Sequence, residues 1–195
     1  YLEDVKNESG LCEAIEEAKG ILNIAGRWFA YLDSKQEKYF VLAVALFDGI
    51  FEAENFNPVL NNFFSIYKIT EIPRLADLRR ATKHYITTDG KVGFVHQDYY
   101  EGVIKEIRKN GYGPYKEDLL LLSDFLKDLV KNKDPYVRFA VTRPLCELAQ
   151  IDTSKALPSV LVLIDVLDPF VQEYAIFPLK EIAKIDYGQV KERIE

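Results

Sequence analysis

The sequence predicts a mostly α-helical protein: three helices and a β-hairpin, followed by stacked helix pairs. Three observations over its 195 residues support this prediction. Apolar residues recur with the 3.6-residue period of amphipathic helices over most of the chain. The pair Asp89-Gly90 lies between two β-prone segments, which is typical of a tight hairpin. A 19-residue segment in the C-terminal part occurs twice, which indicates a repeated structural unit.

Helix start and stop residues divide the first 110 residues. Ser9 and Ser34 are candidate N-caps, and Asn57-Pro58 predicts a helix with proline at its first position. Gly26 predicts either a break in the first helix or a close approach to a neighbouring helix. The predicted helices are 11–32, 36–47, 57–67, 74–84 and 98–109, and the predicted strands are 85–88 and 92–96.

Three helices followed by a hairpin, over residues 35–111, is the order of elements in a winged-helix domain. The helix before the hairpin would be the recognition helix, and the Asp-Gly turn would be the wing. This region is locally basic, with only two carboxylates, and suits contacts to DNA phosphates or base edges. The formal net charge of −6 argues against a protein that coats nucleic acid by bulk electrostatics. The candidate DNA-binding residues are Arg74, Arg79, Arg80, Lys83 and Lys91.

The repeat comprises Asp134–Asp152 and Asp168–Asp186, in which 9 of 19 positions are identical at a spacing of 34 residues. Each copy predicts a turn, then a helix that starts with proline and is kinked by a second proline. With the preceding helices, 117–130 and 155–166, the copies form two helix pairs of an α-solenoid. The first copy resembles a HEAT repeat in its DPYVR run, whereas the second has Gln172 in place of Arg138. We therefore predict HEAT-like repeats over 112–195, in an array that continues beyond the last residue.

The stretch FVHQDYYEGV, residues 94–103, resembles the end of the winged-helix domain in STAND-class signalling ATPases. NLR members of that class carry an MHD-type motif here, whose histidine touches the β-phosphate of bound ADP. The resemblance implies that His96 is a nucleotide-sensing residue, although Gln97 stands where the NLR motif has aspartate. The run YFVLAVALFDG is similar to the first winged-helix helix of the class, and residues 1–34 fit the end of its helical lid.

The sequence contains no phosphate loop GxxxxGK[ST], and it lacks the motifs HExxH, GxSxG and paired CxxC. We therefore predict no enzyme active site, metal site or cofactor within this chain; ATP or ADP would bind elsewhere in the full-length protein. Cys12 and Cys146 are expected to be free thiols in a reducing compartment. No apolar run approaches a membrane span, so a cytoplasmic protein is expected. The absence of methionine and the start at Tyr1 predict a fragment.

These observations predict a non-catalytic regulatory and protein-interaction segment of a larger STAND-like ATPase. The winged helix would sense the nucleotide state of an upstream ATPase domain, and the HEAT-like arm would bind a protein partner. Two alternatives stay open. One is a winged-helix DNA-binding regulator that uses the basic residues above. The other is a plain HEAT-type scaffold in which His96 is only a packing residue.

Overall fold

The computed structural model describes residues 20–71, 73–88 and 90–194, and it is mostly helical. The predicted mostly-α class is therefore confirmed. The predictions for Ser9 and Cys12 lie outside the described residues, as does Asp89 of the hairpin turn. The elements in chain order are α1 (20–30), α2 (Lys35–Phe47), α3 (Ala53–Ile66), α4 (Leu75–Thr82), β1 (Ile86–Thr87), β2 (Gly93–Phe94), α5 (Gln97–Arg108), a 3₁₀ turn (Gly113–Tyr115), α6 (Lys116–Leu129), α7 (Pro135–Ala140), α8 (Thr142–Ile151), α9 (Thr153–Asp165), α10 (Pro169–Ile185) and α11 (Tyr187–Ile194).

Helix α2 is the centre of the N-terminal part of the structure. Every residue from Phe40 to Phe47 is at most 1% exposed, as expected for a helix that is apolar on all sides. It packs against α3, α4, α5, β2 and α8. The predicted cap is confirmed, since the Ser34 hydroxyl oxygen accepts a hydrogen bond from the Glu37 N–H at 3.3 Å. The elements that follow are therefore arranged around one buried helix.

Helix α3 begins earlier than predicted, and the placement of Pro58 at its first position is wrong. The helix starts at Ala53, because the hairpin fixes this point: Glu52 pairs with Lys91 in an isolated β-bridge, and the Ala53 N–H donates to the Gly90 carbonyl at 3.1 Å. Pro58 lies inside the helix, where it supplies no N–H to the carbonyl of Glu54. A tertiary contact outweighs the local preference of proline for the first turn.

The hairpin is shorter than predicted, with two residues in each strand. Its strands pair antiparallel, with Ile86 opposite Phe94. Val92 bonds instead with the segment after α2: its carbonyl accepts from the Gly49 N–H at 2.9 Å, and its N–H donates to the Phe51 carbonyl at 2.8 Å. The second strand thus lies between β1 and the α2–α3 connection. The strand predicted over residues 92–96 also ends early, because His96 is the N-cap of α5.

The two repeat copies fold similarly but not identically. Asp134 and Asp168 cap α7 and α10, each accepting a hydrogen bond from a backbone N–H, and both helices begin with proline as predicted. The first copy divides into α7 and α8 at Val141, whose N–H donates to the Arg138 carbonyl three residues back. This local tightening precedes Pro144, which cannot donate to the carbonyl of residue 140. The equivalent proline, Pro178, lies within the continuous helix α10.

The copies are joined by side chains at their first turns. Arg138 donates to the carbonyls of Asn132 and Lys133 at 2.7 and 3.3 Å, and it lies 3.8 Å from the carboxylate of Asp168. Gln172, its counterpart in the second copy, donates to the carbonyl of Ile164 at 2.9 Å. Either side chain therefore ties its helix to the end of the preceding segment. Helix α10 packs against α8, α9 and α11, so consecutive helices are stacked side by side.

A single cluster of buried apolar residues runs from Phe29 through α2 and α8 to Val190. The N-terminal part and the helix pairs therefore share one core and are not separated by a linker. Among the residues that the structure describes, none of the helices has the length and apolar character that crossing a membrane requires.

Candidate functional site

His96 lies where β2 leads into α5, and its imidazole caps that helix. Its Nδ1 accepts a hydrogen bond from the Asp98 N–H at 3.2 Å, and it lies 3.3 Å from the Asp98 carboxylate. The accepting role of Nδ1 assigns the proton of the neutral ring to Nε2. The side chain is 60% exposed. The arrangement therefore leaves Nε2–H as a hydrogen-bond donor on an exposed ring.

Aromatic rings support this junction from below. Tyr99 lies 5.9 Å from the imidazole of His96, and Tyr85 meets Tyr99 edge to face at 5.1 Å. Trp28 stacks on Tyr85 with ring centroids 4.0 Å apart and an interplanar angle of 13°. Such ring pairs contribute about 0.5–1.5 kcal/mol each beyond the area that they bury. They connect α1, the start of the hairpin and α5 around His96.

Asp48, directly after α2, links the hairpin to the helix pairs. Its carboxylate accepts a hydrogen bond from the Phe94 N–H at 2.7 Å and lies 3.7 Å from the guanidinium of Arg143 in α8. Arg143 also covers the ring of Tyr100 in α5, at 4.7 Å from its centroid. Burial raises the pKa of Asp48, whereas the Phe94 N–H and Arg143 act in the opposite direction. Residue 93 is glycine because a Cβ there would lie 2.7 Å from the Asp48 carboxylate.

A second polar link joins α5 to α8. Arg108 makes a two-pronged ion pair with the carboxylate of Glu147, whose side chain is only 2% exposed. The Tyr112 hydroxyl lies 2.8 Å from both Glu147 Oε2 and Gln150 Oε1. Hydrogen bonding to Glu147 raises the pKa of Arg108, so the guanidinium stays charged. A buried carboxylate is tolerated only with such partners, because leaving it unpaired costs several kcal/mol.

Sequence reasoning missed both links. Asp48 was interpreted only as a helix stop, and Arg108 and Arg143 were not singled out. One signal was present: Glu147 and Glu181 occupy the same position of the two copies, inside otherwise apolar runs. An acidic residue repeated at such a position indicates a buried polar partner.

The predicted DNA-binding residues are all exposed, but they do not all lie together. Arg79 and Arg80 are on α4, Arg74 caps its start and Lys83 follows its end. Arg80 makes one weak ion pair, at 4.0 Å from Asp77. Lys91 lines a separate groove of about 560 Å³ that is formed by α3, the end of α6 and the start of α7. The wing lysine is therefore not part of the basic surface of α4.

Helices α1 and α5 cross at two glycines, which confirms the predicted close approach at Gly26. A Cβ on Gly102 would lie 2.4 Å from the Leu22 carbonyl oxygen, and one on Gly26 would lie 2.9 Å from the Gly102 carbonyl oxygen. The crossing borders a groove of about 1020 Å³ with both basic and acidic lining residues, including Lys105 and Glu101. This mixture of charges favours no particular ligand.

The described residues provide no cluster of three or more histidine, cysteine, aspartate or glutamate side chains that could hold a metal ion. Cys146 is a free thiol, as predicted. Burial raises the pKa of Cys146 to about 12, and a thiol that stays protonated is a poor nucleophile and metal ligand. The chemistry available at the His96 junction is thus hydrogen bonding and ion pairing.

Comparisons with models of protein families, with curated proteins and with solved structures each found no significant match.

Proposed function

We propose that this chain is a non-catalytic regulatory and protein-interaction segment of a larger STAND-like ATPase. In this proposal residues 1–34 are the end of a helical lid, and 35–111 are a winged helix that responds to ATP or ADP on an upstream domain. Residues 112–195 are a HEAT-like arm that binds a protein partner. The observation that carries the proposal is the exposed imidazole of His96, whose Nδ1 is occupied by the Asp98 N–H and whose Nε2–H is left to donate.

The order and packing of the elements support the two folds proposed. Helices α2, α3 and α4 precede an antiparallel hairpin, as in a winged helix. The two repeat copies share their aspartate caps and first prolines, and they stack directly against one another, as HEAT-like units do.

Two polar links give the proposed sensor a route to the arm. A shift of the hairpin would change the Phe94–Asp48 hydrogen bond and, through Asp48, the position of Arg143. A shift of α5 would act on Glu147 through Arg108. Both links reach α8, so the helix pairs are in direct contact with the elements that flank His96.

The test uses three substitutions of His96 in the protein that contains the ATPase core. His96→Ala removes both the cap and the donor, His96→Asp keeps a good cap but removes the donor, and His96→Asn keeps both kinds of group. Hydrogen bonds to charged groups contribute about 1.5–3 kcal/mol. We therefore expect the Ala and Asp variants to bind ADP at least about tenfold more weakly in calorimetric titrations.

The Asn variant separates capping from nucleotide sensing. Its ADP affinity should lie closer to that of the unchanged protein than to that of the Asp variant, while the thermal stability of Asn and Asp variants should be similar. Equal ADP affinity in all four proteins would refute the sensing role and leave His96 as a helix cap in a HEAT-type scaffold.

DNA binding by a winged-helix regulator is the second candidate, because Arg74, Arg79, Arg80 and Lys83 are exposed around α4. Anisotropy titrations with duplex DNA at low salt test it. Tight binding that is lost in Arg79→Ala plus Arg80→Ala, but kept in the control Lys131→Ala plus Lys133→Ala, would support this candidate. The regulatory proposal expects no such difference between the two variants.

A further inference from the structure

We propose that the helix pairs dock an extended, proline-rich peptide with acidic ends on a ridge of five aromatic side chains. The ridge is defined here as Tyr136, Phe139, Phe170, Tyr174 and Phe177. This inference names the chemistry of the partner, and it rests on the interaction role proposed above for the HEAT-like arm.

The five rings form a continuous series across the two repeat copies. Tyr136 and Phe139 of α7 lie 6.1 and 5.2 Å from Phe170 of α10, measured between ring centroids. Tyr174 lies 4.5 Å from Phe139 and 5.0 Å from Phe170, and Phe177 follows at 6.0 Å. The three α10 residues are spaced i, i+4 and i+7, so they lie along one face of the helix.

The ridge remains on the surface although its helices are packed. Tyr136, Phe177 and Phe170 are 69%, 52% and 40% exposed. Helix α10 uses other residues for the core, among them Val171 and Ala175, and it packs against α8, α9 and α11 while the ridge stays exposed. Adjacent exposed aromatic rings are unusual on a protein surface without a partner.

The geometry of the rings suits a polyproline II segment. The interplanar angles between neighbours are 41–76°, so the rings are tilted and leave clefts between them. A polyproline II helix advances about 3.1 Å per residue, or roughly 9 Å per turn, which two successive ring contacts can follow. The hydroxyls of Tyr136 and Tyr174 supply donors for carbonyls that this conformation leaves unpaired. Proline-rich segments dock on aromatic grooves in this way, at low cost in ordering entropy.

Charge defines the ends of the peptide. Lys133 is exposed three residues before Tyr136, and the Lys180 ammonium lies 6.0 Å from the Phe177 ring centroid. Each end of the ridge therefore has a lysine. The nearby aspartates, at 134 and 168, are engaged as helix caps, while Glu173 is exposed beside the middle of the ridge. A peptide with acidic residues outside its prolines complements this pattern, because Glu173 would repel an acidic centre.

The experiment selects a displayed library of random 12-residue peptides on this chain. We expect enrichment of prolines spaced as PxxP, with aspartate or glutamate outside them. The best labelled peptide should bind Phe177→Ser and Tyr136→Ser at least fivefold more weakly in anisotropy titrations. Tyr187→Ser, an exposed tyrosine on α11, is the control and should bind unchanged.

Enrichment without prolines, or equal binding by the ridge and control variants, would overturn the proposal. Sedimentation velocity tests the other occupant, a second copy of the chain. A dimer that disappears in Phe177→Ser would assign the ridge to self-association and also overturn the proposal. These measurements involve no nucleotide, so their failure leaves the His96 test of the proposed function unaffected.

Discussion

Glu147 shows how one buried charge depends on its neighbours. Its side chain is 2% exposed and is held by Arg108, with the Tyr112 hydroxyl as a further partner. The pair is more than a surface ion pair, since one member has lost nearly all contact with solvent. Arg108 itself is 44% exposed, so solvent screens part of the interaction.

We predict that Arg108→Ala lowers the free energy of unfolding by about 2–3 kcal/mol, because the Glu147 carboxylate remains buried with a weaker set of partners. The measurement is urea unfolding followed by circular dichroism. Lys109→Ala is the control: its ion pair with Glu106 is at the surface, and the expected loss is within about 0.5 kcal/mol.

Adding Glu147→Gln to Arg108→Ala removes the unpaired charge and should recover part of the lost stability. If the double variant instead loses the full sum of the two single losses, the pair does not act as a unit.

At the scale of elements, helix crossings are set by the smallest residues. Alanine in a helix is more favourable than glycine by about 0.8–1.0 kcal/mol. At Gly102 the added methyl would lie 2.4 Å from the Leu22 carbonyl and 3.0 Å from the Ala25 side chain. At Gly20, in the same crossing helix α1, an added methyl meets nothing within 4 Å.

The two glycines therefore predict opposite signs. Gly102→Ala should destabilise the protein by about 1–3 kcal/mol, as for overpacked sites, whereas Gly20→Ala should stabilise it by up to about 1 kcal/mol. Thermal and urea unfolding of both variants measure the difference. A stabilised Gly102→Ala protein would show that α1 does not pack closely on α5.

Local chemistry accounts for the elements that the sequence predicts well. The Ser34 cap, the aspartate caps before Pro135 and Pro169, and the apolar run of α2 all depend on residues next to one another in the chain. The prediction for Pro58 fails for the opposite reason: the start of α3 is fixed by the hairpin almost 40 residues later. The winged-helix and HEAT-like assignments remain predictions.

The candidate site was predictable only in part. The strand–helix junction and the histidine at its centre follow from the local pattern, and the resemblance of FVHQDYYEGV suggests a role. That His96 caps α5 was missed, although it directly precedes the helix, because histidine is not among the favoured N-cap residues. Asp48 and Arg143 are 95 positions apart in the sequence, and no local pattern joins such residues.

At the scale of the whole molecule, one continuous core predicts cooperative unfolding. The cluster of buried apolar residues extends from Phe29 to Val190, and polar links to α8 start at Asp48 and Arg108. Trp28, the only tryptophan of the chain, stacks on Tyr85 at the far side of the hairpin. Its fluorescence therefore reports on the N-terminal part alone.

We expect the urea transition monitored by Trp28 fluorescence to coincide with that monitored by circular dichroism. Arg143→Ala, a change in α8, should shift both transitions to lower urea by the same amount, because it removes the contacts with Asp48 and Tyr100. A Trp28 transition that is unchanged while the helical signal shifts would show that the two parts unfold independently.

The hydrogen bonds of Val92 also limit how another chain can recognise this protein. A strand at the edge of a sheet normally offers free N–H and carbonyl groups to an incoming strand. Here β2 pairs with β1 on one side, and on the other side the backbone next to it bonds to Gly49 and Phe51. The second strand of the hairpin therefore has no open edge for β-augmentation. A partner that reaches this strand has to recognise side chains.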